Sequence, residues 1–185
     1  MLKFITGNKH KYREFQIALD PIKVQKLHVD LEEIQDIDPR KVLLHKLKDA
    51  LKHGQREIFI DDTCVYYDAL NKKLPGPFIR WFLEELKPAG LYNLAKKLGN
   101  TQVKMQTVIA YAKGPKDIYF FEGTTYGKLV KPKGGGGFGV DTVLQPKGYS
   151  QTLAELKEGG KFSLGSRFRA AGKFKKFLLK NAKSK

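Results

Sequence analysis

The order in which short apolar runs alternate with helical stripes constrains this chain most. Leu2 to Thr6 reads as a strand that stops at Gly7-Asn8. Residues 9–19 follow, with Tyr12, Phe15, Ala18 and Leu19 at helical spacing. Ile22 to Val29 reads as a second strand. Asp38 then Pro39 is a helix start, an N-cap followed by a proline in the first turn. Val42, Leu43, Leu47, Ala50 and Leu51 form that helix's apolar stripe. Ile58-Phe59-Ile60 is a short strand running into Asp61-Asp62-Thr63. Strand, helix, strand, helix, strand predicts α/β units with parallel pairing.

The rest of the chain changes character. Leu74-Pro75-Gly76-Pro77 is a rigid turn, and Phe78, Trp81, Phe82 and Leu86 form an apolar helical face. Residues 91–98 read as another helix. Val103–Ala112, Ile118–Gly123 and Thr124–Val130 read as strands of an antiparallel meander. Ser163 to Asn181 reads as a basic helix with Phe174, Phe177 and Leu178 on one side. The expected class is α/β, a mixed sheet flanked by helices, in a single domain over residues 1–185. A length of 185 residues suits one domain, and 12 Phe, 8 Tyr and 1 Trp can fill its core. One cysteine excludes an internal disulfide framework and a Cys-based zinc site. No apolar run approaches the roughly 18 residues of a membrane span, and the start is too short for a signal peptide, so a cytoplasmic protein with no membrane partner is expected. Thirty-five Lys and Arg against 19 Asp and Glu give +16, a field that attracts nucleic acid, anionic lipid or polyphosphate, or that belongs to solvated helix faces.

Several clusters carry candidate chemistry. Thr6-Gly7-Asn8-Lys9 sits where a strand hands over to a helix, whose first N–H groups favour phosphate. Asp61-Asp62 follows a buried strand. Alternation aims the two carboxylates to opposite faces, so one can serve a metal or a proton while the other caps a turn. Glu32, Glu33 and Asp36 fall between a strand and a helix, and Glu33 with Asp62 would offer Mg²⁺ hard oxygen ligands. The run Gly134 to Gly139 contains a formal G-x-G-x-x-G, but no helix start follows it, so it is not a dinucleotide fingerprint. A stacking Phe138 and an acceptor Asp141 could still hold a base. Lys161, Ser166, Arg167 and Arg169 open the last helix, where hydroxyl and guanidinium suit phosphate or a purine carbonyl. Cys64 reads as a small buried side chain, and His10, His28, His45 and His53 show no metal spacing.

In order, the chain runs Thr6-Gly7-Asn8-Lys9, Leu31-Glu32-Glu33, Asp61-Asp62-Thr63-Cys64, then Leu74-Pro75-Gly76-Pro77-Phe78-Ile79-Arg80-Trp81-Phe82. Phe121-Glu122-Gly123-Thr124, Phe138-Gly139-Val140-Asp141, Gln145-Pro146-Lys147-Gly148-Tyr149 and Ser166-Arg167-Phe168-Arg169 complete it. This series resembles the inosine triphosphate pyrophosphatase family, in its eukaryotic form, over nearly the whole chain.

The resemblance implies a long mixed sheet flooring a cleft between two lobes, and a homodimer. It implies Mg²⁺-dependent hydrolysis (or Mn²⁺) of ITP, dITP and XTP to the monophosphate and pyrophosphate. By position, Thr6, Gly7, Asn8 and Lys9 would hold phosphates, and Lys46 matches a lysine of the family's second helix. Glu33 and Asp62 would serve the metal and the attacking water, which makes Asp62, Lys9 and Glu33 the expected catalytic group. Phe138 would stack on the base, with Gly139 and Asp141 nearby. Lys161, Ser166 and Arg167 would contact the base or its phosphates. The sequence departs from the family pattern at Val140, Thr142, Phe162, Gly165 and Ser166, where an asparagine and a histidine are usual at Phe162 and Ser166. Two further readings follow: a pyrophosphatase of relaxed base choice, or a weakly catalytic relative that binds nucleotide or RNA, with nucleic acid a secondary partner.

Overall fold

The computed structural model describes residues 1–135 and 137–182, so Gly136 of the glycine loop and residues 183–185 lie outside it. Among the described residues seven strands form one mixed sheet in the order β2-β1-β3-β5-β6-β7, with β4 pairing β3 off this path. The strands are β1 (Leu2–Ile5), β2 (Val24–Leu27), β3 (Ile58–Tyr67), β4 (Pro75–Gly76), β5 (Gln102–Gly114), β6 (Asp117–Leu129) and β7 (Leu144–Pro146). The helices are α1 (Lys9–Leu19), α2 (Pro39–Lys52), α3 (Ile79–Lys97), α4 (Leu153–Glu158) and α5 (Ser166–Ala182). β1 pairs in parallel with both β2 and β3, as the opening pattern predicts. The mixed α/β class is borne out.

Expectation and structure part at identifiable places. β3 does not end at Ile60. A second apolar run, Cys64 to Tyr67, resumes after the polar Asp61-Asp62-Thr63, and all four of its residues are buried. Strand-forming side chains on both sides carry the polar triplet through as mid-strand residues. The two strands expected on either side of Gly123 are one, because a lone glycine does not interrupt β6. The 78–86 face is only partly a core face: Trp81 is 54% exposed and Leu86 is exposed, while Ile79 is buried. Lys87 leaves helical geometry (φ 56°, ψ 171°) just before Pro88, so α3 is two helical segments, as its two separate stripes predict. α4 and β7 were not anticipated, although Thr152-x-x-Glu155 is a capping box and caps α4. The last helix begins at Ser166 rather than Ser163, after a short 3₁₀ turn at Phe162–Leu164.

The chain divides into two compact units. The first comprises Met1–Asp62, Thr107–Gly123 and Arg167–Lys185, and the second Thr63–Gln106 and Thr124–Ser166. In the first, Phe4, Phe15, Phe59 and Phe174 build an aromatic core on one side. Phe4 and Phe59 stack at 4.5 Å, and Phe15 meets Phe4 edge-on at 4.8 Å. The α2 stripe is buried as predicted, all of Val42, Leu43, Leu47, Ala50 and Leu51, and the last four pack with Ile5, Ile58 and Val108. In the second unit Val65, Tyr67, Leu91, Met105 and Leu144 form a separate core. Gly76 turns the chain into α3 at φ +59°, and a Cβ there would fall 2.7 Å from the Lys73 carbonyl oxygen.

Candidate active site

The turn from β1 to α1 is held by its own side chains. The Asn8 N–H donates to Thr6 Oγ1 at 3.1 Å. Asn8 caps α1, its Oδ1 accepting from the N–H groups of His10 and Lys11 at 2.9 and 3.1 Å. Both side chains thus use acceptor atoms within the turn, so a hydroxyl O–H and an amide NH₂ are what they have to offer a ligand. A Cβ on Gly7 would meet nothing within 4 Å, so the fold itself does not require glycine there. Gly7, Asn8 and Lys9 are exposed. The arrangement is a donor-rich turn suited to an anion.

The Asp61-Asp62 pair lies within β3 rather than at its end, and Asp61 is held in an ion-pair cluster instead of capping a turn. Asp61 is buried, with side-chain exposure of 1%. It meets Lys11 Nζ at 3.1 Å and Arg167 Nε at 3.0 Å. Arg167, also buried, turns Nη1 to Glu14 Oε2 at 2.5 Å. Two carboxylates and two cations are therefore joined from α1, β3 and α5. Burial pushes the Asp61 carboxyl up, but the charges of Lys11 and Arg167 outweigh it and hold it below the usual carboxylate range. Burial works against the Arg167 charge, and Asp61 and Glu14 overcome it, so the guanidinium stays charged. Asp62 is partly exposed. Lys11 and Glu14, absent from the sequence-derived candidates, are central to this cluster. The available signal was that each stands four residues before an apolar position of α1, Lys11 before Phe15 and Glu14 before Ala18.

Glu33 and Lys46 come together at 2.7 Å, with side-chain exposures of 56% and 23%. No group of three or more His, Cys, Asp or Glu among the described residues could hold a metal ion by itself. The donor set of Glu33 and Asp62 is hard carboxylate oxygen. That fits Mg²⁺, which keeps waters and takes one or two carboxylates together with substrate phosphates rather than a protein cage.

The second unit holds the remaining candidates. Asp141 is buried, and its Oδ2 accepts from Lys157 Nζ at 2.7 Å and from the Phe138 N–H at 3.2 Å. The Lys157 ammonium also lies 5.7 Å from the Phe138 ring centroid. A Cβ on Gly137 would come 2.4 Å from Asp141 Cβ, so only glycine passes there. Gly139 turns at φ +62°. Asp141 thus shapes the loop that presents Phe138, and Lys157, another residue sequence reasoning missed, balances its charge. Ser166 is buried and Lys161 exposed. Thr6, Gly7, Asn8, Lys9, Glu33, Lys46, Asp62 and Arg167 belong to the first unit, and Phe138, Gly139, Asp141, Lys161 and Ser166 to the second.

The family model for the Ham1 family matches residues 2–177. The chain belongs to the Ham1 family. An inosine triphosphate pyrophosphatase of Schizosaccharomyces pombe is 36% identical over 177 residues, covering 95% of this chain and 93% of that protein. One from Yarrowia lipolytica is 37% identical over 182 residues, covering 97% and 96%. Among solved structures, the Staphylococcus aureus Ham1 protein superposes with a TM-score of 0.81 at 23% identity, covering 97% of this chain and 98% of that one. A nucleoside-triphosphatase, dITP/XTP pyrophosphatase, from Mycobacterium abscessus gives a TM-score of 0.66 at 22% identity, with coverage of 88% and 92%. These two show the Ham1 fold, and the fungal relatives carry the closer sequence likeness. No helix among the described residues is long and apolar enough to cross a membrane.

Proposed function

We propose that this chain is a cytoplasmic Mg²⁺-dependent pyrophosphatase of non-canonical purine nucleoside triphosphates, ITP, dITP and XTP, acting as one domain within a homodimer. The observation that carries this is the family match across residues 2–177, joined to two inosine triphosphate pyrophosphatases by full-length identity of 36% and 37%. Support from the site is chemical. Thr6, Gly7, Asn8 and Lys9 present donors and charge to a triphosphate. Asp61 is committed to Lys11 and Arg167, so its neighbour Asp62 is the carboxylate assigned to the reaction.

Glu33 and Asp62 would hold the metal, which would supply charge screening to the triphosphate. Asp62 orients a water and takes its proton as the oxygen attacks the α-phosphorus. The bond to the bridging oxygen breaks, and pyrophosphate leaves with that electron pair. Lys9 and Lys46 stabilise the negative charge. Phe138 stacks on the base beside Gly139 and Asp141, and Lys161, Ser166 and Arg167 contact the base or phosphates. A broader base choice is the second reading. It is favoured by Ser166, a short, buried side chain where the family pattern has a histidine.

Pyrophosphate release with Mg²⁺ across ITP, dITP, XTP, GTP, ATP and CTP tests both. Preference for the first three is expected, with Asp62→Asn folded but at least about 100-fold slower. Equal rates on all six select the relaxed enzyme. Release of orthophosphate, or full activity in Asp62→Asn, overturns the assignment.

A further inference from the structure

Six of the 35 Lys and Arg lie on α5. α5, Ser166–Ala182, contains no Asp or Glu. Its inward side, Ala170, Ala171 and Phe174, is fully buried in the first unit's aromatic core. Arg169, Lys173, Lys176 and Lys180 are all exposed. Their spacing of four, three and four residues sets them within about 60° of arc along about 16 Å of helix. Arg169, Lys173 and Lys176 have no ion-pair partner among the described residues.

An aromatic ring stands beside this line. Tyr119 is 38% exposed, and its ring lies 4.6 Å from that of Phe177 on α5. Tyr111 reaches Phe174 at 5.2 Å, and Lys113, two residues along the same strand face, is exposed. A straight row of cations next to a half-exposed ring matches a chain of regularly spaced phosphates with unpaired bases.

We propose that the α5 stripe, with Tyr119 and Lys113, is a binding surface for single-stranded nucleic acid, separate from the residues assigned to triphosphate hydrolysis. The cations track the backbone and the tyrosine stacks on a base. The surface therefore binds with little sequence preference and strong salt dependence. It recruits the chain to a polyanion and does not alter the reaction.

Fluorescence anisotropy of labelled dT and U 20-mers with the full chain, titrated over a salt series, is the test. Lys173→Ala/Lys176→Ala/Lys180→Ala should flatten the slope of log K against log salt by about 2, three cations at about 0.7 each. The same variant should keep its urea midpoint and its pyrophosphate release from ITP. Tyr119→Ala should lower affinity about fivefold or more at constant salt slope. Excess ITP should not displace the oligonucleotide. An absent complex, an unchanged slope in the triple variant, or displacement by ITP overturns the proposal. Equal capture by phosphatidylserine vesicles, lost in the same variant, assigns the stripe to lipid instead. A duplex bound more tightly than the single strands, and indifferent to Tyr119→Ala, overturns the single-strand assignment.

Discussion

Each unit of this chain buries charge, and the two do it differently. In the first, Asp61, Arg167, Glu14 and Lys11 bring together residues up to 153 positions apart in sequence and tie α1, β3 and α5. In the second, Asp141 and Lys157 are 16 positions apart and couple the 137–141 loop to α4. Buried ion pairs add little net stability over an apolar replacement, yet removing one partner leaves the other charge uncompensated. The first cluster therefore acts on the whole unit, because its loss frees three elements together. The second acts on one loop, the one that carries Phe138.

The largest effect is expected from Arg167→Met, which takes the guanidinium from both Glu14 and Asp61, while Asp61 keeps Lys11 at 3.1 Å. It should cost about 3–5 kcal/mol, seen as a large fall in the urea midpoint. Adding Asp61→Asn should recover only part of it, since Glu14 remains. A loss below about 1 kcal/mol would break the idea that one guanidinium holds three elements together. Lys157→Met strands a single carboxylate and should fall at the low end of that range. Here Lys157→Met/Asp141→Asn should recover most of the loss, because the neutral amide needs no counter-ion and its oxygen still accepts from the Phe138 N–H. If the second double variant recovers no more than the first, the distinction between the units fails.

Acid sharpens the same contrast. The folded-state pKa of Asp61 lies below its ordinary value of 3.8, so on acidification the unfolded chain takes the proton first. The stability this carboxylate supplies is full above that ordinary value and is lost as pH falls through the folded-state value. Urea midpoints measured from pH 6 to pH 3 should drop steeply below about pH 4. In Asp61→Asn the drop should be shallower. An identical pH slope in wild type and variant would remove Asp61 from the account of acid stability.

Legibility in the sequence followed the kind of force involved. The α2 stripe was readable because hydrophobic burial has a period, and Asp38-Pro39 because capping is local. The β1–β2–β3 parallel core followed from the same periodicity. Asp61-Asp62 stood out as a pair, but in place of the expected turn cap Asp61 joins an ion-pair cluster. The partners of Asp61 were not readable, because Arg167 lies 106 residues away and ion pairing leaves no periodic trace. Lys157 was hidden for the same reason, one lysine among many in a chain of net charge +16. The continuity of β3 through Asp61-Asp62-Thr63 was missed because a polar triplet reads locally as a strand end. Only the neighbouring strands decide otherwise.

The smallest stability effect should come from an ion pair that joins two candidate site residues in the open. Glu33 and Lys46 meet at 2.7 Å but remain substantially exposed, and such pairs contribute about 0–1 kcal/mol. Glu33→Gln should therefore leave the urea midpoint nearly unmoved. Its effect should appear instead in turnover. If Glu33 holds the metal, kcat for ITP should fall at least about tenfold, and the Mg²⁺ concentration for half-maximal rate should rise. Lys46→Met removes the same pair from the other side, so it separates the pair from the carboxylate. It should match Glu33→Gln in stability and keep the wild-type Mg²⁺ dependence. Equal shifts in Mg²⁺ dependence for both variants would mean that the ion pair, and not the Glu33 carboxylate, is what the reaction uses.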